Sequence, residues 1–271
     1  MNVLLTGATG FLGRHVHRAL LDAGHRVTVC GRREPELACT FHAVDLLQIG
    51  ADHLAGHGAV CNLAAAGVSP QPVDWDTAFA VNTHAVLRLA QLAAAAGVPR
   101  FIQAGTCMEY GRGAERYQAV PADAALEPIC PYAASKAAAS LGLLALAHGG
   151  GIGLVLLRPF HLWGEGQFEG NLYPQLLGAA QAGEDFAMTA GTQVRDFYAV
   201  DRAALDFVRA LRVPVDRPVV RNLGSGVPVQ VREFAAERWR ALGARGKLLA
   251  GALPGRPGEV KRFVPELTPW P

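Results

Sequence analysis

The sequence predicts an α/β protein built around a doubly wound parallel sheet. Short apolar runs, typical of buried strands, alternate with longer segments whose apolar residues recur at helical intervals. Glycines and prolines that favour turns separate these segments. Strands that alternate with helices pair in parallel, because each helix returns the chain across one face of the sheet. We therefore expect helices on both faces of one sheet.

The first predicted unit is a strand, a turn and a helix. Val3-Leu4-Leu5 indicates the strand, and residues 14–23 have helical periodicity. Between them, Gly7, Gly10 and Gly13 lie three residues apart. Glycines there allow backbone N–H groups to approach a pyrophosphate at the helix N-terminus. The turn predicts a dinucleotide site, although its spacing departs from Gly-x-Gly-x-x-Gly and a turn whose glycines serve only packing is the alternative.

Further strands and helices follow in alternation. The predicted strands are residues 26–30, 59–63, 100–104 and 153–157, with one more before Asp45. Long, alanine-rich helices are predicted for residues 75–96 and 132–148, and shorter ones near residues 201–211 and 231–242. Beyond Pro159 the pattern loosens. We expect residues 1–165 and 195–225 to form the dinucleotide-binding domain, and residues 166–194 and 226–271 a small C-terminal substrate-binding subdomain.

Composition indicates which binding partners and which cellular compartment to expect. The 25 basic and 23 acidic residues are spread along the chain, so no basic stripe predicts nucleic-acid binding. No apolar stretch approaches the roughly 18 residues of a membrane span, and the N-terminus begins directly as a strand without an export signal. The cysteines form no Cys-x-x-Cys pair, which argues against disulfides and a metal site. We expect a soluble, cytoplasmic protein with a small-molecule partner.

The end of the second strand predicts which dinucleotide binds. Enzymes that prefer the unphosphorylated cofactor place an acid there to accept the ribose hydroxyls, but this chain has Gly31, Arg32 and Arg33. Two arginines can bind a 2′-phosphate through charge-assisted hydrogen bonds, which favours NADPH over NADH. The alternative is a solvated basic loop balanced by Glu34 and Glu36. Downstream, Asp45 either contacts the adenine amine or caps a turn.

A tyrosine and a lysine on one predicted helix indicate redox chemistry. Tyr132 and Lys136 are four residues apart and so share one helix face. An ammonium near the phenol favours the ionised form, which makes the tyrosine a usable proton donor near neutral pH. An exposed helix pair without a catalytic role is the alternative.

Several motifs follow one another in order along nearly the whole chain. They are the glycine turn, Asn82 in the long helix, Thr106 after a strand, Tyr132 and Lys136, and residues 157–164, 195–201, 222–226 and 256–259. Together they resemble the extended short-chain dehydrogenases/reductases, the group of nucleotide-sugar epimerases, dehydratases and reductases, and most of all its 4-ketoreductases. The resemblance implies a Rossmann fold and a nucleotide-diphosphate sugar as substrate. With the two arginines after the second strand, we expect bound NADP(H) rather than NAD(H).

The resemblance also implies roles for individual residues. Thr106 would hydrogen-bond the reacting carbonyl oxygen, Tyr132 would deliver the proton, and Lys136 would bind the nicotinamide ribose and lower the tyrosine pKa. The implied cofactor-binding residues are Gly7, Thr9, Gly10, Phe11, Leu12, Gly31, Arg32, Arg33, Asp45, Leu46, Leu63, Ala64, Ala65, Asn82, Tyr132, Lys136, Pro159 and His161. The implied substrate-binding residues are Thr106, Cys107, Met108, His161, Asn171, Arg195 and Arg256. No metal ligands are implied.

Two arginines match positions near the substrate diphosphate. Arg195 matches the family arginine that neutralises it, and Arg256 would assist. Either could instead form a surface ion pair, and Arg195 could bridge the adjacent Asp196. His161 stands where relatives often have an asparagine beside the diphosphate, so the contact there is kept, altered or lost.

Departures from the family pattern reduce the number of reactions that we expect this chain to catalyse. Family dehydratases follow the threonine with an Asp-Glu pair, where this chain has Cys107 and Met108, so elimination lacks its acid and base. Glu109 is expected along the strand, facing the other side of the sheet as a structural acid. We expect NADPH-dependent reduction of a keto group, C4 of a nucleotide-linked 4-keto-6-deoxy sugar. The alternatives are a 4-epimerase with bound NAD, and a non-catalytic NADP(H)-binding sensor or scaffold.

Relatives commonly form homodimers through two long helices, which here are residues 75–96 and 132–148. Their alanine-rich faces permit close approach of a second subunit, but the same faces could pack on the chain's own sheet. A homodimer is therefore expected.

Overall fold

The computed structural model describes residues 1–68, 71–255 and 258–270. The helices are α1 (Phe11–Asp22), α2 (Trp75–Phe79), α3 (Ala85–Ala95), α4 (Pro131–His148), α5 (Leu172–Ala182), α6 (Val200–Ala210) and α7 (Val231–Ala241). The strands are β1 (Asn2–Thr6), β2 (Arg26–Gly31), β3 (Thr40–Ala43), β4 (Ala59–Asn62), β5 (Arg100–Ala104), β6 (Gly153–Pro159), β7 (His161–Trp163), β8 (Phe186–Met188), β9 (Val194–Arg195), β10 (Phe197–Ala199), β11 (Val219–Leu223), β12 (Val229–Gln230), β13 (Leu248–Ala250) and β14 (Arg262–Phe263).

A seven-stranded sheet forms the centre of the molecule. Its strand order is β11-β6-β5-β4-β1-β2-β3, and every neighbouring pair is parallel. The chain moves outward from β1 through β2 to β3, and then returns to build the other half from β4. This reversal places a topological switch point between β1 and β4, where α/β sheets of this type bind their ligands. The predicted fold class is confirmed.

Both faces of the sheet are covered, which explains the apolar strands. Val3 and Leu5 of β1 pack in a core with Phe207 of α6. Leu4, which points to the opposite face, packs in a second core with Leu143 of α4. All three residues of the strand are fully buried. A parallel sheet with helices on both sides requires such continuous apolar strands.

Two helical segments differ from the prediction. The expected helix over residues 75–96 is divided by a π-helical segment, Ala80–His84, in which Asn82 is buried. Helix α5 was not predicted at all. Pro174 and Gly178 conceal its pattern, and only Leu176 is fully buried in it. Proline is tolerated there because it lies in the first turn, whose N–H groups lack intrahelical partners.

A separate small core lies in the later part of the chain. Leu176 of α5, Phe186 of β8 and Trp239 of α7 pack in it. These residues come from the two segments assigned to the substrate-binding subdomain, although the division itself stays a prediction. Short sheets of β7 with β10, β8 with β13, and β9 with β12 and β14 complete this part.

Three features bear on compartment and metal binding. No helix in the described part of the chain is long and apolar enough to cross a bilayer. All five cysteines are free thiols. Among the same described residues, no cluster of three or more His, Cys, Asp or Glu side chains could hold a metal ion.

Candidate active site

The predicted site residues follow the ends of neighbouring parallel strands. Gly7 follows β1, Arg32 follows β2, Leu63 follows β4 and Thr106 follows β5, while Pro159 ends β6. The carboxyl ends of parallel strands lie along the same edge of a sheet. The fold therefore brings together segments that are distant in the sequence.

The glycine turn has the geometry of an anion site. Gly7 has φ of +72°, and a Cβ there would lie 2.6 Å from the backbone of Leu63 and Ala64. Only glycine permits this approach of the β1 turn to the segment after β4. Gly10 begins α1, and no side chain in the described residues caps that helix. Its first backbone N–H groups are thus free to bind a diphosphate, so the turn fits the predicted dinucleotide.

Asn82 organises the loop after β4. Its side chain bonds both backbone groups of Ala66, at 2.8 and 2.9 Å, and donates to Ser135 Oγ at 3.0 Å. The amide therefore connects the π-helical segment, the loop and α4. In this structure Asn82 holds the loop after β4, and its assignment to the cofactor stays a prediction.

The residues predicted to select NADPH lie at the surface. Arg32 and Arg33 are both exposed directly after β2. Among the described residues, neither forms an ion pair with Glu34 or Glu36. Asp45 accepts a hydrogen bond from the Leu47 N–H at 3.0 Å and so caps the short 3-10 helix that begins with Leu46. The capping alternative for Asp45 is therefore what the structure shows.

Thr106, Tyr132 and Lys136 converge at the end of β5. Thr106 caps a 3-10 helix, Cys107–Tyr110, and its side chain lies near enough to the Tyr132 phenol to influence the pKa of that phenol. Lys136, one turn further along α4, donates from Nζ to the Ala104 carbonyl at 2.5 Å. Lys136 is 3% exposed and Thr106 9%. Helix α4 is thus joined to the end of β5 through Lys136, and Tyr132 lies near Thr106 just beyond that strand.

Burial is the largest influence on the pKa values of Tyr132 and Lys136. Burial raises the pKa of the Tyr132 phenol, and the nearby Thr106 side chain opposes that rise. The Lys136 ammonium donates one of its hydrogen bonds to the Ala104 carbonyl. Burial also lowers the pKa of Lys136 to about 8, with the charge of Glu109 acting in the opposite sense. The role of Lys136 in lowering the tyrosine pKa stays a prediction.

A cavity of about 260 Å³ opens beside the phenol. Its lining residues are Gly67, Gln71, Pro72, Val73, Met108, Cys130, Pro131 and Tyr132. The sequence-based prediction of site residues included Met108 and Tyr132 but missed the other six. A signal for Gly67, Gln71, Pro72 and Val73 was their place in the connection between β4, which ends at the ligand-binding edge, and α2. The cavity gives a small substrate access to Tyr132.

The substrate-side arginine has a different partner from the one expected. Arg195, 5% exposed, pairs with Glu259 at 2.9 Å. Asp196 instead accepts the backbone N–H groups of Ser225 and Gly226, at 2.8 and 2.6 Å. The suggested bridge between Arg195 and Asp196 is thus wrong. The second predicted arginine, Arg256, lies outside the described residues.

Two predicted substrate residues are held in neutral forms. Burial, and next the charge of Arg195, lower the pKa of His161 to about 3. Its Nδ1 is buried without a partner among the described residues. Burial raises the pKa of the Cys107 thiol to about 12. A third predicted substrate residue, Asn171, directly precedes α5, and its side chain does not cap that helix.

Glu109 does not lie on a strand, which corrects the expectation. It belongs to the 3-10 helix after Thr106, and it is fully buried. Its carboxylate pairs with Arg158 at 2.8 Å. The buried ion pair lies directly behind the Thr106 turn.

Comparisons with known proteins agree with this geometry. Residues 3–224 match the model of the NAD dependent epimerase/dehydratase family. A dTDP-glucose 4,6-dehydratase of Streptomyces griseus is 29% identical over 90% of this chain and 79% of its own length. A 2-alkyl-3-oxoalkanoate reductase of Stenotrophomonas maltophilia is 28% identical, over 90% of this chain and 76% of its own length.

A solved structure shows the same architecture. MoeE5, in complex with UDP-glucuronic acid and NAD, superposes with a TM-score of 0.87 and 28% identity, covering 98% of this chain and 90% of MoeE5. The family model covers most of the chain, and its match includes the glycine turn, Thr106, Tyr132 and Lys136. The protein is therefore a member of the NAD-dependent epimerase/dehydratase family.

Proposed function

We propose that this protein reduces a keto group, C4 of a nucleotide-linked 4-keto-6-deoxy sugar, with NADPH. The observation that carries the proposal is the convergence of Thr106, Tyr132 and Lys136 at the switch-point edge of the sheet. The cofactor, when bound at the glycine turn, supplies a hydride to the carbonyl carbon. Tyr132 donates a proton to the carbonyl oxygen, and the Thr106 hydroxyl hydrogen-bonds the same oxygen.

The protonation states of these residues support a reduction. A raised phenol pKa keeps Tyr132 protonated at neutral pH, which is the form that a proton donor requires. Cys107 is buried with a raised pKa, and Met108 has no acidic group. Neither can replace the acid and base that an elimination needs. Reduction without dehydration is the chemistry that the described side chains support.

The proposed substrate extends from Tyr132 towards the small subdomain, segments 166–194 and 226–271. Arg195 binds the diphosphate there, with Glu259 holding the guanidinium in place. His161, Asn171 and Arg256 are assigned to the same contact. The nucleotide sugar bound to MoeE5 supports this substrate class.

One assay distinguishes the proposed ketoreductase from its two alternatives, an epimerase and a non-catalytic sensor. Purified protein is incubated with NADPH and a panel of nucleotide 4-keto-6-deoxy sugars, and NADPH oxidation is followed at 340 nm. Consumption of NADPH with formation of a sugar alcohol supports the ketoreductase. Interconversion of epimers by tightly held NAD without added cofactor would identify an epimerase, which the family also contains. Cofactor binding without turnover on any sugar, unchanged in Tyr132→Phe, would identify a sensor.

The exposed arginines after β2 predict a preference for NADPH. A charge-assisted hydrogen bond contributes about 1.5–3 kcal/mol, or about tenfold or more in affinity. The double variant Arg32→Ser/Arg33→Ser should therefore raise KM for NADPH at least about tenfold and leave KM for NADH within about twofold. Steady-state kinetics with each cofactor measure both values. MoeE5, in contrast, holds NAD in its structure. If the unaltered protein uses NADH as well as it uses NADPH, the proposed preference is refuted.

An exposed apolar surface supports the proposed homodimer. Trp75 stacks on Phe79 of α2 with ring centroids 5.9 Å apart, and Leu141 of the neighbouring α4 is also exposed. Leu141→Glu would place an unpaired carboxylate in a dimer contact, which should weaken dimerisation at least about tenfold. Analytical ultracentrifugation measures the change. Leu205→Glu on α6 is the matched control, since Leu205 is 54% exposed and Leu141 is 59%. A monomeric unaltered protein, or equal weakening by both variants, would contradict this assignment.

A further inference from the structure

We infer that Glu109 is a positioning residue, whose buried carboxylate holds the Thr106 turn and helix α4 in a fixed relative position. In that position the Thr106 hydroxyl and the Tyr132 phenol reach the same substrate oxygen. The inference rests on the proposed function, because it assumes that these two side chains act together. Glu109 itself touches neither substrate nor cofactor in this scheme.

The contacts of the carboxylate link three elements. One oxygen, Oε1, accepts the backbone N–H of Thr106 at 2.8 Å. The other, Oε2, accepts the Ser140 hydroxyl at 2.7 Å and Arg158 Nε at 2.8 Å. Ser140 lies on α4 one turn beyond Lys136, and Arg158 lies on β6. One side chain thus joins the catalytic turn, the catalytic helix and a central strand.

The backbone before Thr106 is shaped around this ion pair. A Cβ on Gly105 would lie 2.6 Å from Glu109 Oε1 and 2.9 Å from Arg158 Cγ. The Gly105 N–H also donates to the Leu157 carbonyl at 2.6 Å. Any larger residue at position 105 would displace either the carboxylate or the turn. The close approach shows that the turn and the ion pair are packed as one unit.

Arg158 is itself held on its far side. Its Nη1 donates to the Tyr110 hydroxyl and to the Ala122 carbonyl, both at 2.9 Å. The Tyr110 hydroxyl in turn donates to Asn222 Oδ1 at 2.6 Å. Arg158 is 3% exposed and Glu109 is 0% exposed, so water does not compete for these bonds. Because these bonds hold Arg158 in place, the Glu109 carboxylate that pairs with it has a defined position relative to Thr106 and α4.

A buried ion pair can also serve stability alone, and two double variants separate the roles. Glu109→Leu/Arg158→Met removes the hydrogen bonds without leaving a lone buried charge. Glu109→Gln/Arg158→Met also removes both charges, but its amide can accept the Thr106 N–H and donate to the Ser140 hydroxyl. We expect the first to lower kcat at least about tenfold with KM for NADPH within about twofold, because misplaced groups slow the chemical step. The second should recover kcat to within about threefold of the unaltered protein.

Two further variants keep the test decisive. Ser140→Ala removes only the bond to α4, so it retains the ion pair and should lower kcat about threefold even if both double variants fail to fold. Asp206→Asn is the control, since Asp206 is another buried carboxylate, 4% exposed, that accepts the Tyr198 hydroxyl at 2.7 Å on α6. It should lower the melting temperature and leave kcat unchanged. Unchanged kcat in Ser140→Ala and Glu109→Leu/Arg158→Met, or equal losses in the two double variants, would overturn the inference.

A readout without substrate separates this inference from the proposed function. Hydrogen exchange of the Thr106 amide, followed by NMR, should be at least about tenfold faster in Glu109→Leu/Arg158→Met than in Glu109→Gln/Arg158→Met. Amides of β1 report global stability and correct for it. Protection that differs between the two variants, with no turnover of any sugar by the unaltered protein, would reject the function and retain the positioning contact. Equal exchange in both variants would reject the positioning role itself.

Discussion

Replacing Tyr132 with phenylalanine is expected to lower kcat for the keto sugar by about 10²–10⁴, the usual contribution of a positioned proton donor. The phenyl ring keeps the packing of the side chain, but the proton for the carbonyl oxygen is lost. The affinity for NADPH should stay within about twofold, because the dinucleotide is assigned chiefly to the glycine turn. Steady-state kinetics give kcat, and quenching of protein fluorescence gives the dissociation constant of NADPH.

Tyr117→Phe provides the matched control for that result. Tyr117 is half-buried against the apolar cluster that contains Tyr110 and Phe263. Its replacement by phenylalanine, like that of Tyr132, removes one phenolic hydroxyl group. It should leave kcat unchanged. A Tyr132→Phe protein that keeps more than about a tenth of the activity would show that the proton comes from another group.

Lys136→Met is expected to change activity and stability in opposite directions. Burial lowers the pKa of Lys136 from 10.5 to about 8, so the folded state disfavours its charge. At 1.36 kcal/mol for each pKa unit this costs about 3 kcal/mol at neutral pH. The variant loses the hydrogen bond to Ala104, worth about 1 kcal/mol. We therefore expect the free energy of unfolding at pH 7 to rise by about 1–2 kcal/mol, while kcat falls about a hundredfold.

The stability difference between Lys136→Met and the unaltered protein depends on pH, because the pKa of Lys136 is lowered in the folded state. Below about pH 8 the lysine is charged in both states, and the folded state bears the full cost. Between about pH 8 and 10.5 the folded protein releases the proton first, so the cost disappears as the pH rises. The stability advantage of Lys136→Met should thus be greatest at pH 7 and fall to zero before pH 10.5, where only the loss of the hydrogen bond to Ala104 remains.

Urea unfolding at pH 7, 9 and 10 measures the difference. Lys247→Met, at an exposed position, should show no such pH-dependent gain. A variant of Lys136 that is less stable at pH 7 would show that the ammonium stabilises the fold. In that case the lysine would be a structural residue, and its burial would carry no functional meaning.

The strands and the glycine turn were predictable because their signals are local. Val3, Leu4 and Leu5 are apolar in succession, which only a strand covered on both faces explains. The glycines at the end of that strand mark the dinucleotide turn by composition and position. Family membership followed from the order of short motifs along the chain, and the family model confirms it.

Other features depend on contacts between distant segments. Helix α5 contains a proline and a glycine, and its packing against β8 and α7 compensates for their weak helical propensity. Arg195 pairs with Glu259 across 64 residues, although Asp196 is its neighbour in the chain. Lys136 donates a hydrogen bond to a carbonyl on β5, 32 residues before it in the chain. No local pattern encodes these partners, because they depend on where strands and loops meet.

Glu109 shows the division most clearly. The amino-acid order alone established the chemical types at the site: a threonine, a tyrosine, a lysine, and one carboxylate of unassigned role. Only the folded chain decided that this carboxylate lies between Thr106, Ser140 and Arg158. Backbone periodicity and turn propensity act over a few residues and can be read directly from the sequence. The pairing of a buried charge is decided by which side chains surround it after the sheet has closed, so it is a property of the tertiary structure.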